Sequence, residues 1–447
     1  MTRKQLFTLI ATIIGSGVVF LDGSIVNLAL PAIGRDLGGG LAAKQWIVDG
    51  YLLSLSALIL IGGSLGDIFG QRRVYFIGLG GFALASLLCG LAPDVLWLTA
   101  GRVLQGIFGA MLVPSGLAII NTNFEPAARA LAIGRWTAFS SIVTALGPLV
   151  GGYLVDVSSW RWVFFVNIPL ILATFVLGYY GIREHTGDKN RKLDIAGALY
   201  AMGGLGGLTY GLIEGPGANW GFVPLLAIVA GLGLLAAFVW HERRSADPMV
   251  KLDLFRSHNF TAANIVTFAM YGALGGFFFA LTIYLQTVVG FSTLAAGASL
   301  LPVTVVMFLL ASRAGAWAGT FGPRRFMTVG PALAGLGMIL LLPLGPGDGY
   351  LAHVFPGVLL FAVGLALTVA PLTATVMGSV DERSSGIASG INNAVSRVSG
   401  LIVIAVLGFF PADASYHATT ILCAALALSA GAVAFMMVKN PHKSETK

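Results

Sequence analysis

The chain has 447 residues, of which 57% are hydrophobic and only 10% are charged. A water-soluble domain usually carries about a quarter charged residues, so this composition, with a mean hydropathy of +0.87, excludes an assembly of soluble domains. The net charge of +7 lies in short breaks between apolar runs, which excludes a nucleic-acid footprint and leaves a chain whose main solvent is lipid.

A helix that crosses the hydrocarbon needs about 20 apolar residues. Runs of that length, apolar on every side, favour helices over alternating barrel strands. They predict spans at 8–32, 45–66, 73–92, 95–120, 130–156, 161–181, 193–213, 222–240, 259–285, 294–318, 326–344, 350–378, 384–410 and 417–438. Met1-Thr-Arg-Lys leads into the first run with no small-residue cleavage site, so that run reads as a retained span and not a signal peptide.

Span 1 contains Leu21-Asp22-Gly23-Ser24-Ile25-Val26-Asn27, with Asp22 near its middle. A carboxylate at that depth costs roughly 2.5–3.5 kcal/mol on insertion scales, so it must be neutral, paired or facing water. Asp22 is therefore a candidate proton carrier, the structural alternative being a hydrogen bond that fastens span 1 to a neighbour. In span 2, Gln45-Trp46-Ile-Val-Asp49 places Trp46 and Asp49 near one membrane face, as substrate contacts or as interface residues. The segment Gly63-Ser-Leu-Gly66-Asp67-Ile-Phe-Gly70-Gln-Arg72-Arg73 is a glycine-spaced helix end followed by a tight basic loop. Its glycines permit helices to slide closely past each other, Asp67 can engage a helix N-terminus, and Arg72 and Arg73 anchor the loop at the interface.

Span 4 carries Arg102, with Gln105-Gly106 one turn on. Counted at 1.5 Å per residue, Asp22 and Arg102 lie at similar depth. A pair that makes and breaks would couple protonation to helix movement; a permanent one would only hold spans 1 and 4 together. In span 5, Gly147-Pro148-Leu-Val-Gly151-Gly152 combines a helix-breaking proline with small residues, which shapes a bend and a close seam. Phe139 in span 5 and Phe268 and Phe278 in span 9 are cavity candidates from their positions, with Asn27, Trp46, Asp49, Gln105, Asn392 and Asn393. The run Gly386–Arg397 in span 13 places polar groups inside the membrane, where they line a cavity or join helices. Arg313 in span 10 and Arg397 have no partner evident from the sequence.

Two further patterns set the organisation. The Gly63–Arg73 segment recurs weakly as Gly315-Ala-Trp-Ala-Gly319-Thr-Phe321-Gly322-Pro-Arg324-Arg325, 252 positions later. Two six-span halves with spans 7 and 8 between them account for that offset, giving segments 1–182, 183–258 and 259–447. Basic residues accumulate on the cytoplasmic side. With both termini there, the inner segments hold Arg3, Lys4, Arg72, Arg73, Arg129, Arg183, Lys189, Arg191, Lys192, Arg243, Arg244, Lys251, Arg256, Arg324, Arg325, Arg383, Lys439, Lys443 and Lys447, which is 19 of the 26 Lys and Arg. The outer loops hold Arg35, Lys44 and Arg161. Cys89 and Cys423 sit inside apolar runs as packing residues, and no metal-binding spacing is present.

Together these motifs resemble the major facilitator superfamily, and within it the fourteen-span branch of drug:proton antiporters. The matching stretches are Leu21–Pro31, Gly63–Arg73, the segment around Arg102 and Gln105-Gly106, Gly147–Gly152, and Gly386–Gly400. The resemblance implies an all-α integral membrane protein, two six-helix bundles plus two inserted helices, working by alternating access. It implies that Asp22 and Arg102 couple a proton to transport and that Gly147–Gly152 marks an antiporter. Two positions depart from the pattern: Val143 stands where a small residue usually opens the span 5 motif, and Gly319 replaces the acid of the repeated segment. No acid occurs in spans 10 or 13, where some relatives that carry dicationic drugs have one, so neutral or monocationic substrates are expected.

The reading is thus a proton-driven exporter of small hydrophobic compounds in the cell membrane, without cofactor or nucleic-acid partner, and a monomer. A dedicated exporter of a lipid or secondary metabolite is the alternative within the same class. A multi-span enzyme lacks any constellation to support it: His241-Glu242 has no second histidine at metal-binding spacing, and no Gly-Lys-Ser/Thr phosphate loop occurs. A receptor would need a larger soluble segment than 182–192 or 241–258.

Overall fold

The computed structural model describes residues 1–184, 187, 193–245, 247–381, 385–410 and 415–440. Lys189, Arg191, Lys192, Arg383, Lys443 and Lys447 of the charge pattern lie outside them. Among the described residues there is no β-strand. The helices are α1 (Arg3–Leu37), α2 (Leu41–Phe69), α3 (Gln71–Gly90), α4 (Val95–Asn123), α5 (Pro126–Val157), α6 (Trp162–Phe165), α7 (Asn167–Gly181), α8 (Ile195–Gly217), α9 (Phe222–Arg244), α10 (His258–Thr287), α11 (Thr293–Ala298), α12 (Leu301–Phe321), α13 (Pro323–Leu340), α14 (Phe355–Gly378), α15 (Ser385–Val406) and α16 (Ser415–Met437).

Eleven helical stretches among the described residues are long and apolar enough to cross a membrane, α6 with α7 and α11 with α12 each forming one of them. Three of the fourteen predicted stretches are helical without joining that set. In α5 the described apolar stretch is Leu146–Val157, α8 contains eight glycines, and α13 opens on Arg324 and Arg325.

The chain divides into two compact units, Met1–Met249 with Phe291–Ala298, and Val250–Gly290 with Ser299–Lys447. In the first unit α1 is central, packing on α5, α7 and α4, while α2 packs on α4 and α8, and α8 on α9. Two tyrosines from neighbouring helices fasten α1 by its backbone: the hydroxyl of Tyr51 donates to Val19 O at 2.8 Å and that of Tyr75 to Ala11 O at 2.8 Å. Both rings are buried among Val18, Leu55, Leu79, Phe82 and Ile171. Buried hydroxyls need such acceptors, because an unmade hydrogen bond in an apolar interior costs about 1–3 kcal/mol.

In the second unit α10 packs on α15, α16 and α14, and α14 also packs on α13 and α12. The two copies of the repeated segment share a backbone feature. Gly70, between α2 and α3, has φ 95° and ψ 129°, and Gly322, between α12 and α13, has φ 87° and ψ 143°. That region is essentially closed to residues with a Cβ, so each sharp helix-to-helix junction requires its glycine.

Candidate functional site

Asp22 of α1 is wholly buried in the first unit, and side chains of α4 and α7 meet at its carboxylate. Arg102 of α4 forms an ion pair with Oδ2. On Oδ1 the side-chain amides of Gln105 (α4) and Asn167 (α7) donate at 3.1 Å and 2.9 Å. Both amides also donate to Ser86 Oγ of α3, at 2.9 Å and 3.3 Å. Arg102 is held independently of Asp22. It donates from Nη1 to Gln105 Oε1 at 2.7 Å and from Nε to Ile47 O of α2 at 3.0 Å. Its guanidinium carbon also lies 4.2 Å from the centroid of the Tyr51 ring, a cation–π contact that is strongest when desolvated.

The spacing of α4 explains the cluster. Arg102 and Gln105 are one turn apart and share a face, and Gly106 lets α4 approach α2, since a Cβ there would collide with Ser54. The carboxylate receives three donors, one of them the permanently charged guanidinium of Arg102. A proton on it would remove one acceptor and the charge that binds Arg102, while Arg102 would keep Gln105, Ile47 and Tyr51.

The span 5 glycines place α5 against α1 and α11. A Cβ on Gly147 would collide with Ser24 and one on Gly151 with Ile25, and one on Gly152 would lie 2.6 Å from Leu294 Cα. Beyond them, Asp156 accepts from the backbone N–H of Thr293 at 3.0 Å and of Leu294 at 2.8 Å. Val143, the larger residue at the head of that motif, meets Gly17 of α1, where any Cβ would come within 2.9 Å of it. The small residue of this contact is Gly17, on the facing helix.

The remaining candidates are dispersed. Asp49 is wholly buried, and neither carboxyl oxygen has a hydrogen-bond partner among the described residues. Trp46 Nε1 donates to Glu214 of α8 at 2.7 Å, and Asn27 is half-buried on α1. Asp67 accepts from Gln71 Nε2 at 2.9 Å, Gly63 faces Pro114, and a Cβ on Gly66 would strike Gln71. Arg72 donates to Tyr179 O at 3.2 Å and lies 3.7 Å from Glu184, while Arg73 is exposed. Phe139 and Phe268 are exposed, and Phe278 packs edge-on against Phe361. Asn392 donates to Asn264 Oδ1 at 3.1 Å and Thr267 Oγ1 at 2.7 Å, joining α15 to α10, and Asn393 is half-buried beside it. Ser86 and Asn167 were not among the sequence candidates; their signal was an uncharged polar side chain inside an apolar run. Cys89 and Cys423 are free and buried.

A bundle of membrane-length helices closed around a buried carboxylate–guanidinium pair is a multi-pass membrane protein of transporter type. The Major Facilitator Superfamily model matches residues 12–404, and the chain belongs to that family. It is 36% identical over 411 residues to the multidrug resistance protein Stp of Mycobacterium tuberculosis (strain CDC 1551 / Oshkosh), covering 91% of this chain and 76% of that one. It is likewise 36% identical over 411 residues to the tetracenomycin C resistance and export protein of Streptomyces glaucescens, with the same coverage of 91% and 76%. Among solved structures, a peptide transporter POT in complex with sulfate matches with a TM-score of 0.72 at 17% identity, over 97% of this chain and 94% of that one.

Proposed function

We propose that this chain exports small hydrophobic compounds, drugs and antibiotics among them, in exchange for protons moving inward, by alternating access. The observation that carries the reading is the Asp22 cluster: a buried acid ion-paired to an arginine that has its own independent supports. Resistance and export proteins at 36% identity over most of the chain support the direction of transport and the kind of substrate.

In the proposed cycle, ionised Asp22 draws Arg102, Gln105 and Asn167 together and so ties α1 to α4 and α7. Proton uptake neutralises the carboxylate. Arg102 stays with Ile47 O and Tyr51, and α1 is released from α4. Because neutralising Asp22 removes the charge paired with Arg102 while Arg102 keeps its other partners, at a cost of about 1–3 kcal/mol, one proton can shift an equilibrium between two arrangements of the helices. The Gly147–Gly152 seam on α1 would transmit that shift to α5. The proton gradient is the energy source, and no cofactor is needed.

The proposal extends to topology. All fourteen predicted stretches cross the cell membrane, with α8 and α9 as the pair inserted between two six-helix halves and both termini cytoplasmic. The test is purified protein in liposomes loaded with a lipophilic dye under an imposed proton gradient. Dye movement that follows the gradient and stops with a protonophore supports exchange. Movement indifferent to the gradient overturns it.

A further inference from the structure

The first turn of α3 carries two adjacent arginines and no acid. Arg72 and Arg73 border a cleft of about 450 Å³ between the start of α3 and the end of α7, walled by Phe76, Ile77, Phe175 and Tyr179. Helical register builds this arrangement. Each arginine precedes an apolar residue, Phe76 or Ile77, by four positions, so charge and apolar surface share one face of α3 about 6 Å apart. α7 comes close because of Gly178, where a Cβ would lie 3.2 Å from the Phe76 ring. The Phe76 and Phe175 rings then meet with centroids 4.6 Å apart.

The two guanidiniums differ in their partners. Arg72 lies 5.7 Å from the Phe76 ring centroid and 5.6 Å from that of Tyr179, contacts that hold a planar guanidinium in one orientation. Its acidic neighbour, Glu184, is 3.7 Å away with a side chain 65% exposed, and exposed pairs of this kind contribute little. Arg73 is exposed and makes no hydrogen bond or ion pair among the described residues. Tyr179 and Tyr180, both exposed and packed edge-on at 5.4 Å, mark the level of a membrane interface. At that level the cleft offers positive charge at its rim and apolar surface one turn further along the helix.

We propose that this cleft binds an anionic phospholipid of the phosphatidylglycerol class, from the leaflet that faces the cytoplasm in the proposed topology. The phosphodiester sits on the Arg72 and Arg73 guanidiniums, whose fork matches phosphate oxygens, and the acyl chain lies on Phe76, Ile77 and Phe175. Basic pockets between helices on the cytoplasmic side suit such headgroups. A zwitterionic lipid brings its own cation to the arginines, and a free phosphate has no chain for the apolar wall, so neither matches both parts of the cleft. The bound lipid spans the ends of α3 and α7, the two helices that present Ser86 and Asn167 to the Asp22 site.

The test is native mass spectrometry of the full chain, stripped of lipid in detergent, with palmitoyl-oleoyl phosphatidylglycerol or phosphatidylcholine added. Wild type should take up the first phosphatidylglycerol at least about tenfold more tightly than phosphatidylcholine, since each arginine near the surface contributes about fivefold. Arg73→Gln breaks no hydrogen bond of the fold; it should weaken phosphatidylglycerol about fivefold and leave phosphatidylcholine unchanged. Arg72→Gln/Arg73→Gln should abolish the preference. Arg243→Gln/Arg244→Gln removes as much charge at the end of α9 and should leave the preference intact. A large excess of inorganic phosphate should not displace the lipid.

Equal binding of the two lipids, or an Arg73→Gln variant that alters neither or weakens both alike, would overturn the proposal. So would an equal loss of preference in Arg243→Gln/Arg244→Gln, which means diffuse charge, or displacement by phosphate, which means a site for the free anion. None of these readouts measures transport, so each of them leaves proton-coupled export standing.

Discussion

Replacing Arg102 by Gln removes the one positive charge on Asp22 and leaves the carboxylate with the amides of Gln105 and Asn167 in a site that excludes water. An uncompensated buried charge of this kind is expected to cost about 3–5 kcal/mol. Asp22→Asn leaves the opposite charge, but Arg102 retains Gln105, Ile47 O and the Tyr51 ring, so the expected cost is smaller, about 1–3 kcal/mol. The double variant Asp22→Asn/Arg102→Gln buries no charge and should be more stable than Arg102→Gln alone. A coupling energy of at least about 1 kcal/mol is expected, within the range for residues in direct contact. Unfolding of the four proteins in mixed micelles, followed by tryptophan fluorescence, measures the cycle. Additive single effects, or a double variant less stable than Arg102→Gln, would refute the claim that the two side chains form one energetic unit.

Asp49 provides a contrast. Neither carboxyl oxygen of buried Asp49 has a hydrogen-bond partner among the described residues, so Asp49→Asn breaks no ion pair and should cost clearly less than Arg102→Gln, at about 3–5 kcal/mol; an equal loss would contradict this. Gly151→Leu should push α1 from α5 through Ile25, costing about 1–3 kcal/mol and most transport, and Ile25→Ala should restore part of both; no effect on yield or dye movement would sink the seam as described. Gly70→Ala and Gly322→Ala should each lose about 1–3 kcal/mol from a backbone conformation closed to alanine, whereas unchanged melting of either variant would show that its junction tolerates a Cβ.

The helical architecture was legible because lipid leaves the backbone few options and each span must be a long apolar run. Asp22 and Arg102 were legible for the same reason, since a charge inside such a run is costly enough to need an account. What surrounds them was not. Asn167 meets Asp22 across 145 positions, and an uncharged amide in an apolar segment raises no comparable energetic alarm.

Gln105 was assigned to the cavity, yet it sits on the Asp22 carboxylate. Depth along a helix follows from counting, whereas the face it presents depends on which neighbours it meets. Trp46 shows the same limit, since its partner Glu214 belongs to α8 and nothing local announces that α8 packs on α2. The repeat at 252 positions predicted matching junctions at Gly70 and Gly322 from residue types alone; their shared positive φ is the physical reason for the match.

The account stands on Asp22 as the group that ties the proton to the substrate. The most direct measurement compares wild type with Asp22→Asn in liposomes, in two modes: dye accumulation driven by a proton gradient, and dye exchange with no gradient. The prediction is that Asp22→Asn loses accumulation and retains exchange, because an uncharged side chain that cannot cycle its proton still permits the helices to move. Accumulation that persists in Asp22→Asn at the wild-type rate would contradict it and remove Asp22 from the coupling step.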